Sequence, residues 1–361
     1  MGQAISTPEK IKKVGRPLQS SPEWPKLSEL PTVDRIIALP DYVLNHVLSF
    51  LPIEDAFKTQ VLSRRWLHIW THATSFEFLH GSCSSKKTIS DFARFVDKTL
   101  VLCTSSKLKK LGVQFPYEPE YASNVNLWTR FAIGRGVEEL QLDLANMDAG
   151  GCYLLPQLLY TNSSFKALHF RMCRVIPKGV VCWNSLKKLT IGYMKLNEVV
   201  IQKILAGSPV LDILELYTCY GFNRLHVSSA SVKKLILRDV GDDNYVYDDS
   251  DDDDDGDYDE DVLEISAPHL HSLEISGSLG YDVCRLGDVS SLIDANIGFH
   301  MNNEYYTDYN YTSLNMLRGL LQSLVHVKNI TLGNWAIQVG LLLILCLLLP
   351  ILNIEVYFVT V

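Results

Sequence analysis

The sequence predicts an α/β chain in two unlike parts: a three-helix module near the N-terminus, then a horseshoe-shaped solenoid of irregular, strand-bearing repeats. Three observations predict it. Between Asp41 and His72 apolar residues recur at helical spacing in three short runs. From Leu108 onward one phrase, apolar-x-x-apolar-x-apolar, returns at intervals of 21 to 38 residues. An acidic run over residues 242–261 falls between two copies of that phrase and reads as a loop inside one repeat.

Residues 1–33 carry Pro8, Pro17, Pro22, Pro25 and Pro31 among Ser, Lys and Glu, too little apolar surface to offset chain entropy, so a flexible leader is expected there. From Pro40 the pattern changes. Val43, Leu44, Val47, Leu48 and Leu51 keep helical spacing, with Asp41 in the first turn, where a carboxylate suits the helix dipole, and Pro52 as a stop. A second helix is expected from Ile53 with Ala56, Phe57 and Val61 as its apolar positions, and a third over residues 64–72 with Trp66 and Trp70 at i, i+4. A core made by three such short helices is small, and cores of that size often need a partner.

The repeated phrase begins at Leu108, Val137, Phe165, Leu186, Leu211, Val232, Leu270 and Val327, with a poorer copy at Leu292. Each copy predicts one short strand beside its neighbour at ~4.8 Å, a stack that buries a face no single unit could bury and leaves a concave side free for proteins or peptides. Lys109, Lys110, Glu138, Glu139, Lys166, Lys187, Lys188, Asp212, Lys233, Lys234, His271 and Lys328 lie between the apolar positions and are expected on that concave face or its edge. Cys173 and Cys219 each follow the last apolar strand position by three residues, where a core thiol can meet buried backbone groups in a turn. The expected boundaries are 1–33 for the leader, 34–78 for the helical module, 79–335 for the repeats with an insertion at 242–261, and 336–361 for a hydrophobic tail.

The string LPDYVLNHVLSFLPIEDAFKTQVLSRRWLHIW, Leu39 to Trp70, closely resembles the F-box, with its L-P-D, L-P and V-L-S-R-R-W elements at that family's spacing. The repeated phrase is similar to the strand core of the leucine-rich repeat. The combination resembles the large plant F-box/LRR group, in which an FBD region often follows; after about residue 338 the sequence departs from that pattern. The resemblance implies a substrate-recognition subunit of a Skp-cullin-F-box (SCF) ubiquitin ligase, in which the F-box binds a Skp-type adaptor and through it a cullin, and the repeats hold the protein to be modified. By motif position Leu39, Pro40, Val43, Leu44, Leu48, Leu51, Pro52, Val61 and Trp66 would form or support the adaptor surface. Catalysis would then come from proximity alone, with no catalytic residue, metal or cofactor in this chain. The alternative is a membrane-associated LRR scaffold outside ubiquitination.

Composition narrows the remaining classes. The net charge of −8 becomes +5 once the thirteen Asp and Glu of residues 242–261 are set aside, and Lys and Arg are scattered, so no nucleic-acid footprint is expected. Eight cysteines form no C-x-x-C pair, and no apolar signal core opens the chain, which fits a reducing cytoplasmic or nuclear setting in which the sequons at Asn162, Asn310 and Asn329 stay bare. The residues Met1 to Ser6 match M-G-x-x-x-[ST], making Gly2 a candidate for lipidation, with Lys10, Lys12, Lys13 and Arg16 as a second, electrostatic signal. The run from Val339 to Leu352 has fourteen uncharged residues, short of the roughly twenty a membrane span needs; tail anchor, final buried repeat and aberrant terminus are its three readings. Asp251, Asp253, Asp255 and Gly256 match half of a calcium loop, but Val262 stands where a bidentate Glu belongs. His68 and His72 lack the Glu of a zinc-protease helix, and Gly134-Arg135-Gly136 lacks the third glycine of a dinucleotide loop.

Overall fold

A computed structural model of the chain describes residues 38–48, 50–51, 53–62, 65–80, 88–145, 151–241, 261–301, 309–338 and 355–358. The proline-rich leader with Gly2, Pro52, residues 242–260 of the acidic run, and the apolar run from Val339 to Leu352 lie outside the described residues.

The helical module opens with α1 (Asp41–Leu48), α2 (Ile53–Lys58) and α3 (Trp66–Ile69), the last two extended by 3-10 turns at Thr59–Val61 and Trp70–His72. Leu44, Leu48, Ile53, Ala56, Trp66, Ile69 and Trp70 are buried, as their helical spacing requires. At the start of α1 Asp41 takes a 2.8 Å hydrogen bond from Arg65 Nε, tying the first helix to the approach of the third.

Beyond the module the described residues make strands that all run parallel. The main sheet has eleven of them, in the order β1 (Ser75–Leu79), β2 (Lys110–Gln114), β3 (Glu139–Asp143), β5 (Ala167–Arg171), β7 (Lys188–Lys195), β8 (Ile213–Tyr220), β10 (Lys234–Val240), β12 (Ser272–Leu279), β14 (Asp294–Met301), β15 (Asn329–Leu332) and β16 (Glu355–Phe358). The missing numbers belong to two smaller sheets, β4 (Tyr153–Leu154) with β6 (Cys173–Arg174), and β9 (Arg224–His226), β11 (Val262–Ser266) and β13 (Val283–Leu286). Helices α4 (Ile89–Leu102), α5 (Ala122–Gly134), α6 (Gln157–Tyr160), α7 (Glu198–Ala206), α8 (Tyr309–Ser323) and α9 (Asn334–Gln338) fill the returns between strands. The all-parallel order is the consequence of repetition: each unit returns on the same side and sets its strand beside the previous one.

All nine phrases found in the sequence become strands, each beginning two residues after the first apolar position. Two further strands of the main sheet, like those of the two smaller sheets, lie outside these phrases. Residues 73–78, ATSFEF, follow the phrase with Ala73 in its first position, and Ala73, Phe76 and Phe78 are buried. β1 therefore belongs to the sheet, although its sequence reads as the end of the helical module. β16 pairs with β15 in register, Ile330 with Val356 and Leu332 with Phe358, so the segment after the apolar run returns to the sheet as a repeat strand would. Among the described residues no helix is long and apolar enough to cross a membrane.

The core lies between the main sheet and the outer elements. Phe92, Phe115 and Trp128 make an aromatic stack under α4 and α5, and Asp97 of α4 accepts from Trp128 Nε1 at 2.7 Å and Asn124 Nδ2 at 2.8 Å of α5. Two buried indoles find backbone partners, Trp183 donating to Leu159 O at 2.8 Å and Trp335 to Ile297 O at 3.0 Å. Cys173 and Cys219 are core thiols as their position implies: Cys173 Sγ donates to Arg171 O at 3.4 Å and Cys219 Sγ to Ile191 O at 3.5 Å. Burial raises both thiols well above their ordinary range, which suits packing and not nucleophilic chemistry.

Phe170 sits at the centre of this packing with no solvent exposure. Phe170→Ala should lower unfolding free energy by about 3–5 kcal/mol in urea titrations, whereas Val180→Ala at an exposed outer position should change it by no more than about 0.5 kcal/mol.

Candidate functional site

Two surfaces carry side chains that the core does not use. The first is on the helical module. An aromatic bridge joins one side of the module to the solenoid: Phe57 packs on Trp70 and on Phe95 of α4, and Phe95 on Phe78 of β1, with ring centroids 5.4–6.0 Å apart. What that bridge leaves outside is strongly apolar. Phe50 is 75% exposed and Val61 84%, with Leu39, Tyr42, Val47, Leu51 and Leu62 also exposed. Of the residues named from the motif, Leu39, Pro40, Leu51 and Val61 are therefore on the outside and Val43 is half-buried. Leu44, Leu48 and Trp66, none above 5% exposed, lie inside the module and support the surface from beneath. Tyr42, Val47, Phe50 and Leu62 join this surface although the motif positions do not include them; Val47 keeps the helical spacing and is nonetheless exposed.

The second surface is the concave face. Its floor is set by strand alternation. The positions that open each strand put Lys110, Glu139, Lys188 and Lys234 at one edge, and the residues before them, such as Lys109, Lys166, Lys187 and Lys233, form the rim itself. The residues read from the sequence as outward thus belong to this edge. The floor lies two and four residues further on: Gln141, His169, Thr190, Glu215 and Glu274 in one row, and Asp143, Arg171, Gly192, Tyr217 and Arg238 in the next. Extending the repeated phrase with period 2 would have found them.

At the far end of this floor the backbone departs from regular strand. Met172, Tyr193, Thr218, Asp239 and Gly277 have φ of 54, 53, 49, 50 and 76°, and each stands five residues after its strand begins. Such a residue should point into the core by alternation. The left-handed turn brings Tyr193, Thr218 and Asp239 to the concave side instead, and the next residue, Met194, Cys219 or Val240, takes the core position. For Thr218, β-branched, this conformation is costly, about 1–3 kcal/mol.

The result is a concave basin of about 300 Å³. Tyr217 lies across Gly192, where any Cβ would overlap its ring, and its hydroxyl meets His169 Nε2 at 3.2 Å. The Arg171 guanidinium lies 4.4 Å from the Tyr193 ring centre and is held by Asp143 at 3.2 Å. Glu215 on β8 is nearly buried and meets Thr190 Oγ1 at 3.3 Å, Lys188 Nζ at 3.4 Å and Arg238 Nη1 at 3.0 Å. Arg238 continues to Glu274 at 3.2 Å. Among the described residues no group of three or more His, Cys, Asp or Glu could hold a metal ion. The arrangement is built for non-covalent recognition: a rigid floor, flat aromatic walls and charged side chains fixed by one another.

Comparison with known proteins decides the family. The F-box domain model matches residues 36–77, and the model described as "FBD-associated F-box protein At5g56370, LRR repeats" matches residues 125–303. F-box/LRR-repeat protein 25 of Arabidopsis thaliana is 33% identical over 55% of this chain and 72% of its own length. The chain belongs to the plant F-box/LRR-repeat family. F-box/LRR-repeat protein At5g02910 of the same plant is 31% identical over 87% of this chain and 63% of its own length, and F-box protein At5g03100 is 29% identical over 87% and 93%. The chain spans about two thirds or less of the longer curated relatives that it matches along most of its own length. The F-box match contains the exposed apolar set, and the LRR match contains every residue of the basin.

His169 provides a pH handle on the LRR floor. Burial holds its imidazole below the ordinary 6.5, with Asp143 and Glu215 opposing and Lys188 and Arg171 reinforcing the shift. The unfolded chain therefore takes up this proton first as pH falls. Stability should decline from about pH 6.5 downward until the folded imidazole also titrates, and His169→Gln should flatten that part of a stability-versus-pH curve measured by chemical denaturation.

Proposed function

We propose that the chain is the substrate-recognition subunit of an SCF-type ubiquitin ligase, with the F-box docked on a Skp-type adaptor, and through it a cullin, and the concave LRR face holding a protein target. In this reading the docking module lies within residues 34–78, the last of which already form β1 of the sheet, and the receptor continues over 79–335, in the cytoplasm or nucleus. One observation carries it: Leu44, Leu48, Ile53, Ala56, Trp66, Ile69 and Trp70 are buried, yet Phe50, Leu51, Val61 and Leu62 remain outside the core they join. Apolar side chains in that number on so small a module are a helix-docking surface.

The aromatic bridge from Phe57 through Phe95 to Phe78 supports the mechanical half of the reading. It packs the docking module against the first strand with no free linker between them, so a target seated on the sheet keeps a fixed distance from whatever the module grips. Ubiquitin transfer then gains from proximity and orientation, which this chain supplies without touching the reacting atoms.

Co-purification with a Skp-type adaptor tests the reading. The unaltered chain should retain the adaptor, and Phe50→Asp with Val61→Asp should weaken retention at least about tenfold, the loss of roughly 1.4 kcal/mol or more, with unchanged circular dichroism. Failure of the unaltered chain to bind, or equal binding by the double variant, overturns it. Leu44→Asp is expected to lose binding together with folded signal, because Leu44 is core.

A further inference from the structure

We propose that the basin between β7 and β12 accepts an anionic side chain, carboxylate or phosphate, of the bound protein, gripped by Lys188, Arg238 and Lys234 beside the Tyr217 ring. This rests on the reading of the concave face as the target-binding surface and names the chemistry that surface selects.

Formal charge alone does not decide the matter. The basin and its margin hold four cations, Arg171, Lys188, Lys234 and Arg238, and four carboxylates, Asp143, Glu215, Asp239 and Glu274. Depth decides it. The Asp143 and Glu215 side chains are 9% and 11% exposed, against 49% for Lys188 and 44% for Arg238. Glu274 likewise lies deeper than Lys234 and Arg238, which both contact it. The fourth carboxylate, Asp239, lines the basin with Oδ1 already committed to the backbone, accepting from Ser278 N at 2.8 Å. Carboxylates thus form the floor and cation heads the upper layer, so an approaching group meets positive charge first.

The donors are also only partly used. Arg238 spends Nη1 on Glu215 and Nε and Nη2 on Glu274, which fixes its plane. Lys188 reaches Glu215 at 3.4 Å and Lys234 reaches Glu274 at 3.8 Å, each an ammonium with three N–H groups and donors to spare. An anion bound between them gains charge-assisted hydrogen bonds without disturbing the buried pairs. Tyr217 borders the same space, held by Gly192 and His169, and gives a flat apolar wall for the chain that bears the anion. A volume of about 300 Å³ admits one such side chain and part of its backbone.

The test uses the purified full-length chain and four pools of degenerate nine-residue peptides whose central residue is phosphoserine, Glu, Ser or Lys, with binding read by fluorescence anisotropy. The phosphoserine pool, the Glu pool or both should bind at least about tenfold more tightly than the Ser pool, and the Lys pool should bind most weakly. Phosphoserine alone identifies a phosphate acceptor; both together identify a site for either anion. Lys188→Gln with Lys234→Gln, both at exposed positions, should reduce the preferred pool to the level of Ser, and Lys109→Gln on a distant strand should not. Equal binding of all pools, no binding of any, preference for Lys, or a preference that survives the double substitution overturns the proposal. Adaptor retention measured on the same samples separates the two readings, since it depends on the F-box and not on these lysines.

Discussion

The fold depends on one backbone arrangement repeated from strand to strand. At the edge where each main-sheet strand begins, one carbonyl accepts two N–H groups from the next unit: Thr74 O from Lys109 and Lys110, Lys166 O from Lys187 and Lys188, Asp212 O from Lys233 and Lys234, and so on to Ile293 O with Lys328 and Asn329. This ladder sets the register in which every unit's second apolar residue, Leu111, Leu140, Leu168, Leu189 or Leu214, faces the same interior. It also explains the polar residues of the phrase. Their backbone is committed to the ladder at the rim, which keeps their side chains out of the core.

Because register is inherited along the sheet, a departure in one unit is copied by its neighbours. Five consecutive strands turn left-handed at the same station although only Gly277 is glycine there. An isolated Thr or Tyr in that conformation would be easily relieved; flanked on both sides by strands with the same turn, it is held. The concave basin is a product of this repetition. Tyr193 and Asp239 reach the concave side through the turn, and Tyr217 finds its seat on Gly192 of the neighbouring strand.

Much of the architecture was legible because hydrophobic periodicity is a local signal. Nine strands and three short helices follow from where Leu, Val, Ile and Phe recur. β1 and β16 were not legible, since Ala73 and Asn353 occupy the position where the other copies carry Leu, Val or Phe, and the pattern is weak without a large first residue. The F-box core was legible in the same way, but the split between Leu44 beneath and Val61 above was not, because a motif fixes residue types and leaves exposure to packing. The basin was the least visible part. His169, Glu215, Tyr217 and Arg238 come from three repeats, and nothing in the linear order of one repeat shows that register gathers them into a common hollow or that the left-handed turns add Tyr193, Thr218 and Asp239 to it.

The corner after the main strand is short in two of the middle repeats: Gly221–Asn223 joins β8 to β9, and Gly280–Asp282 joins β12 to β13. Between β10 and β11 the same corner holds residues 241–261, yet β11 still pairs with β9 and β13 in register, and Asp261 N bonds Asp282 Oδ2 at 3.0 Å. The pitch of the horseshoe is thus insulated from the length of its rim. Chain length added at such a corner alters one border of the concave face while the packing beneath is left as it was.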